Sequence, residues 1–303
     1  MSVISTGNHP AALWPGVKGW WGQMYDSHEK EYTYLVEETS SDKAYEEYYQ
    51  LTGFGLVPQK SQGAAVMYDS QSQGHLKRMT NVSYGMGYIV TYEELQDNQY
   101  AEVSKGRSQA LAFSTNTSVE TIVALMYDRA FNSSYTGGDG LEMCSTAHVN
   151  TTGGTWSNEL ATGADLSETS VEDLVIQVAQ AKNDRGHPIK IMPKCLVVHP
   201  SEWFNANRIL KSTLQNDTAN NAINALKATS ALPDGVKMNH YLSDADNWFI
   251  RTNCPMGALL QWREKPNFDQ DNDFDTKNAK AKVFYRLVTG WVDPRTVYGS
   301  EAP

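Results

Sequence analysis

The stretch EELQDNQYAEVSKGRSQALAFSTNTSVETIVALMYDRAF (93–131) contains no proline. Thr91 stands ahead of it as a cap, and Glu93 and Glu94 put negative charge where a helix N-terminus favours it. Leu111, Ile122, Leu125, Met126 and Arg129 recur at helical spacings. A helix of about 39 residues would run ~58 Å at 1.5 Å per residue. That exceeds the width of a small domain, so the stretch predicts a spine against which other elements lie. Gly106 weakens its middle and marks the expected place of any bend.

Upstream, residues 45–58 (YEEYYQLTGFGLVP) and 78–92 (RMTNVSYGMGYIVTY) read as two strands rich in Tyr, Val, Thr and Ile. The polar segment between them (59–77) is about 19 residues long, a length usually reserved for functional or mobile loops. The simplest geometry is a long hairpin projecting from the body. Isolated two-stranded arms are marginal in water, so this one is expected to gain stability from a neighbour. Residues 1–30 are broken by Gly7, Pro10, Pro15, Gly16, Gly19 and Gly22, and no period is evident. They read as an extended arm. Its aromatic residues Trp14, Trp20, Trp21 and Tyr25 are costly to leave wet and must pack on this subunit or on another.

Downstream, 132–165 reads as loops and short strands. SETSVEDLVIQVAQAKNDRG (167–186) predicts a helix capped by Ser167 or Ser170 and stopped by Gly186. CLVVHP (195–200) is a short buried strand, followed by a capped helix at 201–212, the polar run LQNDTANN, a short helical NAINALK, and strands at VKMNHYL, WFIRTN and ALLQWRE. Thus 161–278 forms a mixed α/β lobe. The alternating stretch AKAKVFYRLVTGWVDPRTVYG (279–299) returns to pair with the early hairpin base and the long helix.

The chain of 303 residues carries 25 Lys+Arg against 35 Asp+Glu, a net charge of −10. That balance argues against broad nucleic-acid binding, because such a surface repels phosphates. No apolar run approaches the ~18 residues of a spanning helix, and the opening MSVISTGNHPAALWPG lacks the layout of a signal peptide. Three scattered cysteines give no disulfide framework, so a reducing cytoplasm is the expected site of synthesis.

Motifs that carry chemistry are weak. Cys144/His148 and Cys195/His199 resemble metal ligands, but the second pair lies on a strand, where residues four apart are ~13 Å apart. Asp269, Asp271, Asp273 and Asp275 alternate like a calcium loop, yet Phe274 and Lys280 stand where glycine and glutamate are needed, so an acidic surface turn is expected. Phosphate-loop, dinucleotide and nucleophile-elbow signatures are absent. Ser145 and His148 lie close together, but no acid is evident in the sequence to orient the histidine. No catalytic residue, cofactor or metal is therefore expected.

The order of elements resembles that of the HK97-like major capsid proteins of tailed phages, and more closely their Mu-like head-subunit branch. The residues that carry the resemblance are YEEYYQLTGFGLVP (45–58), SYGMGYIVTYEEL (83–95), STAHVNTTGGTWSNELATGADLS (145–167), NDRGHPIKIMPKCLVVHP (183–200), RILKSTLQNDTANNAINALK (208–227), NFDQDNDFDTKNAKAK (267–282) and GWVDPRTVYGS (290–300). It implies an α+β HK97-like capsid fold: an N-terminal arm (1–32), an E-loop hairpin with its base (33–92), a peripheral domain with the spine helix (93–160), an axial domain (161–278) and a return to the peripheral domain (279–303). It further implies a homo-oligomer of hexamers and pentamers, an icosahedral shell around double-stranded DNA, and location in the virion. A separate scaffolding protein, a portal, and decoration or maturation-protease proteins follow as partners, without a membrane. An encapsulin-like compartment shell is the alternative. No covalent cross-linking is expected, since no matching Lys and Asn motif is found. The subunit-interface candidates are Trp14, Trp20 and Trp21 in the arm, Lys60, Tyr68, His75, Lys77 and Arg78 in the hairpin, and Asn216, Asn220 and Asn221 in the axial loop.

Overall fold

The computed structural model describes residues 14–97, 100–215 and 222–302. The chain opens with α1 (Trp14–Ser27), a 3-10 turn (Glu31–Tyr34), β1 (Glu37–Ser40), β2 (Tyr45–Leu51), β3 (Gln73–Thr80) and β4 (Val82–Val90). Then come α2 (Tyr92–Asp97), α3 (Tyr100–Asp128), the short pair β5 (His148–Val149) and β6 (Thr155–Trp156), and α4 (Glu168–Ala179). The remainder is β7 (Pro193–Val198), α5 (Trp203–Lys211), α6 (Ala225–Thr229), β8 (Val236–Met238), β9 (Trp248–Thr252), β10 (Ala258–Asn272), β11 (Ala279–Trp291) and β12 (Val297–Ser300).

The expected spine is α3, about 43 Å long at 1.5 Å per residue. Ala112, Val119, Val123, Tyr127 and Ala130 fall along one side of this segment and are buried. They meet Trp262, Phe268, Val283 and Leu287 of a four-stranded sheet with order β1-β10-β11-β4. The expected start at 93 falls instead on α2, which Thr91 caps, its hydroxyl accepting the Glu94 amide at 3.3 Å; α3 is described from Tyr100. The helix ends at Asp128 rather than 131, where the Ala130 amide tightens onto the Tyr127 carbonyl.

The structure corrects the reading of the arm. Residues 14–27 form a helix despite Pro15, Gly16, Gly19 and Gly22. Pro15 sits in the first turn, where its missing N–H costs nothing. Val17 and Trp21, one turn apart, are buried against α3 and β10, and the Trp21 ring stacks on Tyr25 at 4.9 Å and Phe268 at 5.7 Å. Tertiary burial here outweighs glycine's poor propensity. Trp21→Ala should therefore cost about 3 kcal/mol, in the range for large buried aromatics. Denaturant unfolding checks this; a loss below about 1 kcal/mol would show that α1 is not held by this ring.

The hairpin is also redrawn. The strand expected at 78–92 is two strands, broken at Asn81. β3 pairs with β2, while β4 leaves to pair antiparallel with β11. Buried Asn81 is the junction: its amide donates to Ala44 O, its Nδ2 to Lys43 O, and its Oδ1 accepts from Gln261 Nε2. The loop thus spans 52–72 rather than 59–77.

The α/β lobe is built on the sheet β12-β9-β7-β8, with Leu174, Val178, Leu196, Val198, Trp248, Ile250 and Tyr298 in its core. Ser167 caps α4 in a reciprocal box with Ser170. This helix stops at Ala179, and Gly186 (φ +79°) serves a later turn instead. Two boundaries move. β10, expected within the lobe, pairs with β11 in the spine sheet. β12, expected to return there, pairs with β9 in the lobe.

A buried carboxylate ties these parts together. Glu120 of α3 accepts the amides of Glu31 (2.8 Å) and Tyr32 (2.9 Å), capping the 3-10 turn from a distance. Glu31 in turn accepts from His240 of the lobe, its Oε1 2.5 Å from Nδ1 and its Oε2 2.9 Å from the amide. Burial raises the Glu120 carboxyl to about 7; the two amides and Lys30 pull against it, and Glu31 adds to it. The folded state therefore holds this proton more tightly than the unfolded chain. Stability should fall as pH rises from about 4.5 to 7, by on the order of 2 kcal/mol. Glu159, also raised to about 7 by burial and by Glu301 and Glu142, adds the same sign. Melting curves at pH 5 and 7.5 test this: Glu120→Gln should flatten the difference, and an unchanged slope would contradict it.

Candidate assembly surfaces

The hairpin β2–β3 lies across its own body. The Tyr48 hydroxyl is 2.8 Å from Gln261 Oε1, Gln50 Nε2 donates to Val292 O at 3.0 Å, and His75 Nε2 is 2.9 Å from Val149 O. Lys77 donates to Thr136 O and sits over the Trp291 ring at 5.4 Å. His75 and Lys77, expected near a free tip, are thus engaged within the subunit. Arg78 pairs with Glu47 at 2.6 Å and covers the Tyr45 ring.

Past this docked base the loop's apolar side chains stand clear of the body. Thr52 and Ser72 close its neck, the Thr52 amide donating to Ser72 O at 3.0 Å and the Ser72 amide to Thr52 Oγ1 at 2.9 Å. Beyond them Phe54, Leu56, Val57, Val66, Met67 and Tyr68 are all exposed, Val57 at 95% and Tyr68 at 96%. Lys60 is exposed on the same loop. Scattered single apolar residues need no explanation, but six along one loop mark a surface meant to be covered. Sequence reasoning named Tyr68 and Lys60 and missed the aliphatic residues around them.

The other candidates fall differently. Trp21 is in the core and Trp20 packs partly buried against it. Trp14 opens α1, and its side chain lies outside the described residues, as do Asn216, Asn220 and Asn221. The ends of that axial segment are pinned: the Gln215 amide donates to Ala222 O at 2.8 Å, and Leu214 and Ile223, both exposed, bridge across.

Three further exposed features went unread. Phe274, 95% exposed, stands in the acidic turn joining β10 to β11. Phe204 projects from α5 at 77% exposure. β4 is an uncharged edge strand with exposed Val82, Met86 and Ile89. Beside it, Tyr84, Met86, Ser118, Ile122, Leu125 and Tyr285 line a groove of about 410 Å³ between α3 and the sheet.

An acid does orient His148, contrary to the sequence reading: Asp139 Oδ2 lies 2.6 Å from Nδ1. Nε2 is 3.0 Å from Asn158 Oδ1, so both ring nitrogens are occupied, and the histidine is fully buried. Burial pushes the Asp139 carboxyl up, but the hydrogen bond and charge of His148 outweigh it and hold it below the usual range. Ser145 joins through its amide to Asn158 Oδ1, not as a nucleophile. Among the described residues no His, Cys, Asp and Glu group is placed to hold a metal ion. None of their helices is long and apolar enough to cross a membrane.

A sequence model for a family described as phage capsid protein matches residues 79–300, from the end of β3 through β12. The chain belongs to that phage capsid family. It is a structural protein of a viral capsid, not an enzyme, and its α+β fold is the HK97-like one expected. Among solved structures it is similar to the capsid of an empty GTA particle, with 10% identity, a TM-score of 0.57 and 90% of each chain covered. It is similar to a virus-like particle from Pyrococcus furiosus, with 9% identity and a TM-score of 0.54 over 95% of this chain and 99% of that one. The capsid of Myoviridae phage XM1 gives 9% identity and a TM-score of 0.53 over 90% and 92%. These likenesses are of fold. No curated protein sequence matches the chain. The family match leaves out α1 and most of the hairpin, so the loop's role rests on its own chemistry.

Proposed function

We propose that this capsid protein is the major head subunit of a tailed phage of the Mu-like branch. Its copies form hexamers and pentamers that close into an icosahedral shell around double-stranded DNA. The observation that carries this reading is the loop 52–72, whose six exposed apolar side chains find no cover within one copy. Burying a side chain of this kind is worth about 1.5–3 kcal/mol, so covering even four gives on the order of 6 kcal/mol before ordering costs. Repeated around a ring, such head-to-tail contacts close without leaving an unsatisfied end.

A net charge of −10 suits a wall that encloses DNA without gripping it. The exposed Lys60 and Tyr68 belong to this contact, while Phe204 and the ends of the axial segment at Leu214 and Ile223 supply contacts nearer the ring centre. A separate scaffolding protein, a portal, and decoration or maturation-protease proteins complete the assembly, which is made in the bacterial cytoplasm.

Electron microscopy of the purified protein, with and without a scaffolding partner, tests the reading. Closed shells of DNA-holding size are expected, with a single subunit band on denaturing gels. Small shells filled with protein would favour an encapsulin-like compartment, and a monomer under every condition would end the proposal.

A further inference from the structure

We propose that Arg185 is a positioning residue that fixes the direction in which the loop 52–72 leaves the subunit. The inference rests on the reading that this loop packs on a neighbouring copy. Past the neck, the loop's hydrogen bonds to the rest of the described chain run through this one side chain. Arg185 Nη1 donates to Asp69 Oδ2 at 2.8 Å and Nη2 to Ser70 O at 2.6 Å. The same Asp69 oxygen accepts the Gly55 amide at 2.8 Å, and Oδ1 accepts the Ser70 amide at 2.8 Å. Asp69 thus clips the outgoing limb of the loop to the returning one, and Arg185 holds the clip.

The post that presents Arg185 is rigid. Asn183 Oδ1 accepts the amides of Arg185 (3.0 Å) and His187 (2.9 Å), and Gly186 turns the chain with φ +79°. Asp184 is anchored from below by Arg295, a buried side chain 3.3 Å away. Arg295 is fixed in turn by Asp293, Asn150 Oδ1 and Lys182 O, and lies over the Trp156 ring at 4.3 Å. Thr152 adds a bond to Asp184 O. This support fixes the direction in which the half-buried Arg185 side chain points.

A partly exposed ion pair of this kind contributes little to folding, so a positioning role and a stability role separate. Arg185→Glu should leave the melting temperature of the subunit unchanged. Amide hydrogen exchange of residues 53–57 and 66–71 in the free subunit should rise about fivefold, the loss of a modest local restraint. In assembly the variant should give open or misclosed particles in place of most closed shells. Arg185→Glu combined with Asp69→Lys, which reverses the pair, should recover closed shells relative to Arg185→Glu alone. Wild-type exchange in the loop, or a wild-type fraction of closed shells from Arg185→Glu, overturns the inference. If the unmodified protein forms no shells, the assembly reading fails instead, and subunit exchange alone decides whether Arg185 holds the loop.

Discussion

Replacing residues 54–68 by a short Gly-Ser turn should abolish closed shells while the subunit still melts within about 2 °C of the unmodified protein. The two halves of this expectation have separate physical sources. Folding does not use the loop: its apolar side chains are exposed, and the Thr52–Ser72 neck lies outside the replaced segment. Shortening a loop changes closure entropy only slightly and in the favourable direction. The docked base of the hairpin, from Tyr48 to Gln261 and from Gln50 to Val292, is untouched. In the proposed assembly the loop is used, because the apolar area it offers is what a neighbouring copy would cover. Sedimentation of the variant under assembling conditions, followed by negative-stain imaging, reads the result. Closed shells in normal yield would show that these side chains are not part of an interface.

Asn158→Ala should be the most damaging single substitution in the folded subunit, by about 4 kcal/mol. Asn158 is fully buried and joins three segments. Its Nδ2 donates to the carbonyls of Met143 (2.7 Å), Val297 (2.9 Å) and Pro294 (3.1 Å). Its Oδ1 accepts from the Ser145 amide and His148 Nε2. Alanine would leave these groups without their partner where water has little access, and each such orphan costs about 1–3 kcal/mol. His148 would keep Asp139 but lose the acceptor on its other nitrogen. A fall in melting temperature of about 8 °C follows for a chain of this size. A fall below 2 °C would mean that the knot is not what joins the 132–158 loops to the terminal return.

The spine was legible because a long proline-free run leaves few alternatives, and α3 bears it out over 100–128, while the cap and the first-turn acids lie on α2. α1 was not, although Val17 and Trp21 stand one helical turn apart. Weighing four glycines and prolines as breakers hid a stripe that gains its order from burial on α3 and Phe268. The break at Asn81 was invisible for a related reason. Both sides of it are rich in strand formers, and only the distant Gln261 shows that the chain changes sheets there. Asp139 was not recognised as the acid beside His148, since pairing the two needs a fold that returns 139 to 148. The hairpin candidates were chosen by charge and aromaticity. That favoured Lys77 and His75, which the body captures, over Leu56, Val57, Val66 and Met67, which it does not.

Hydrogen exchange of residues 53–71, compared between free subunits and assembled shells, tests most directly whether this loop is completed by another copy. Fast exchange in the subunit and strong protection in the shell is the predicted result; equally fast exchange in both would contradict it.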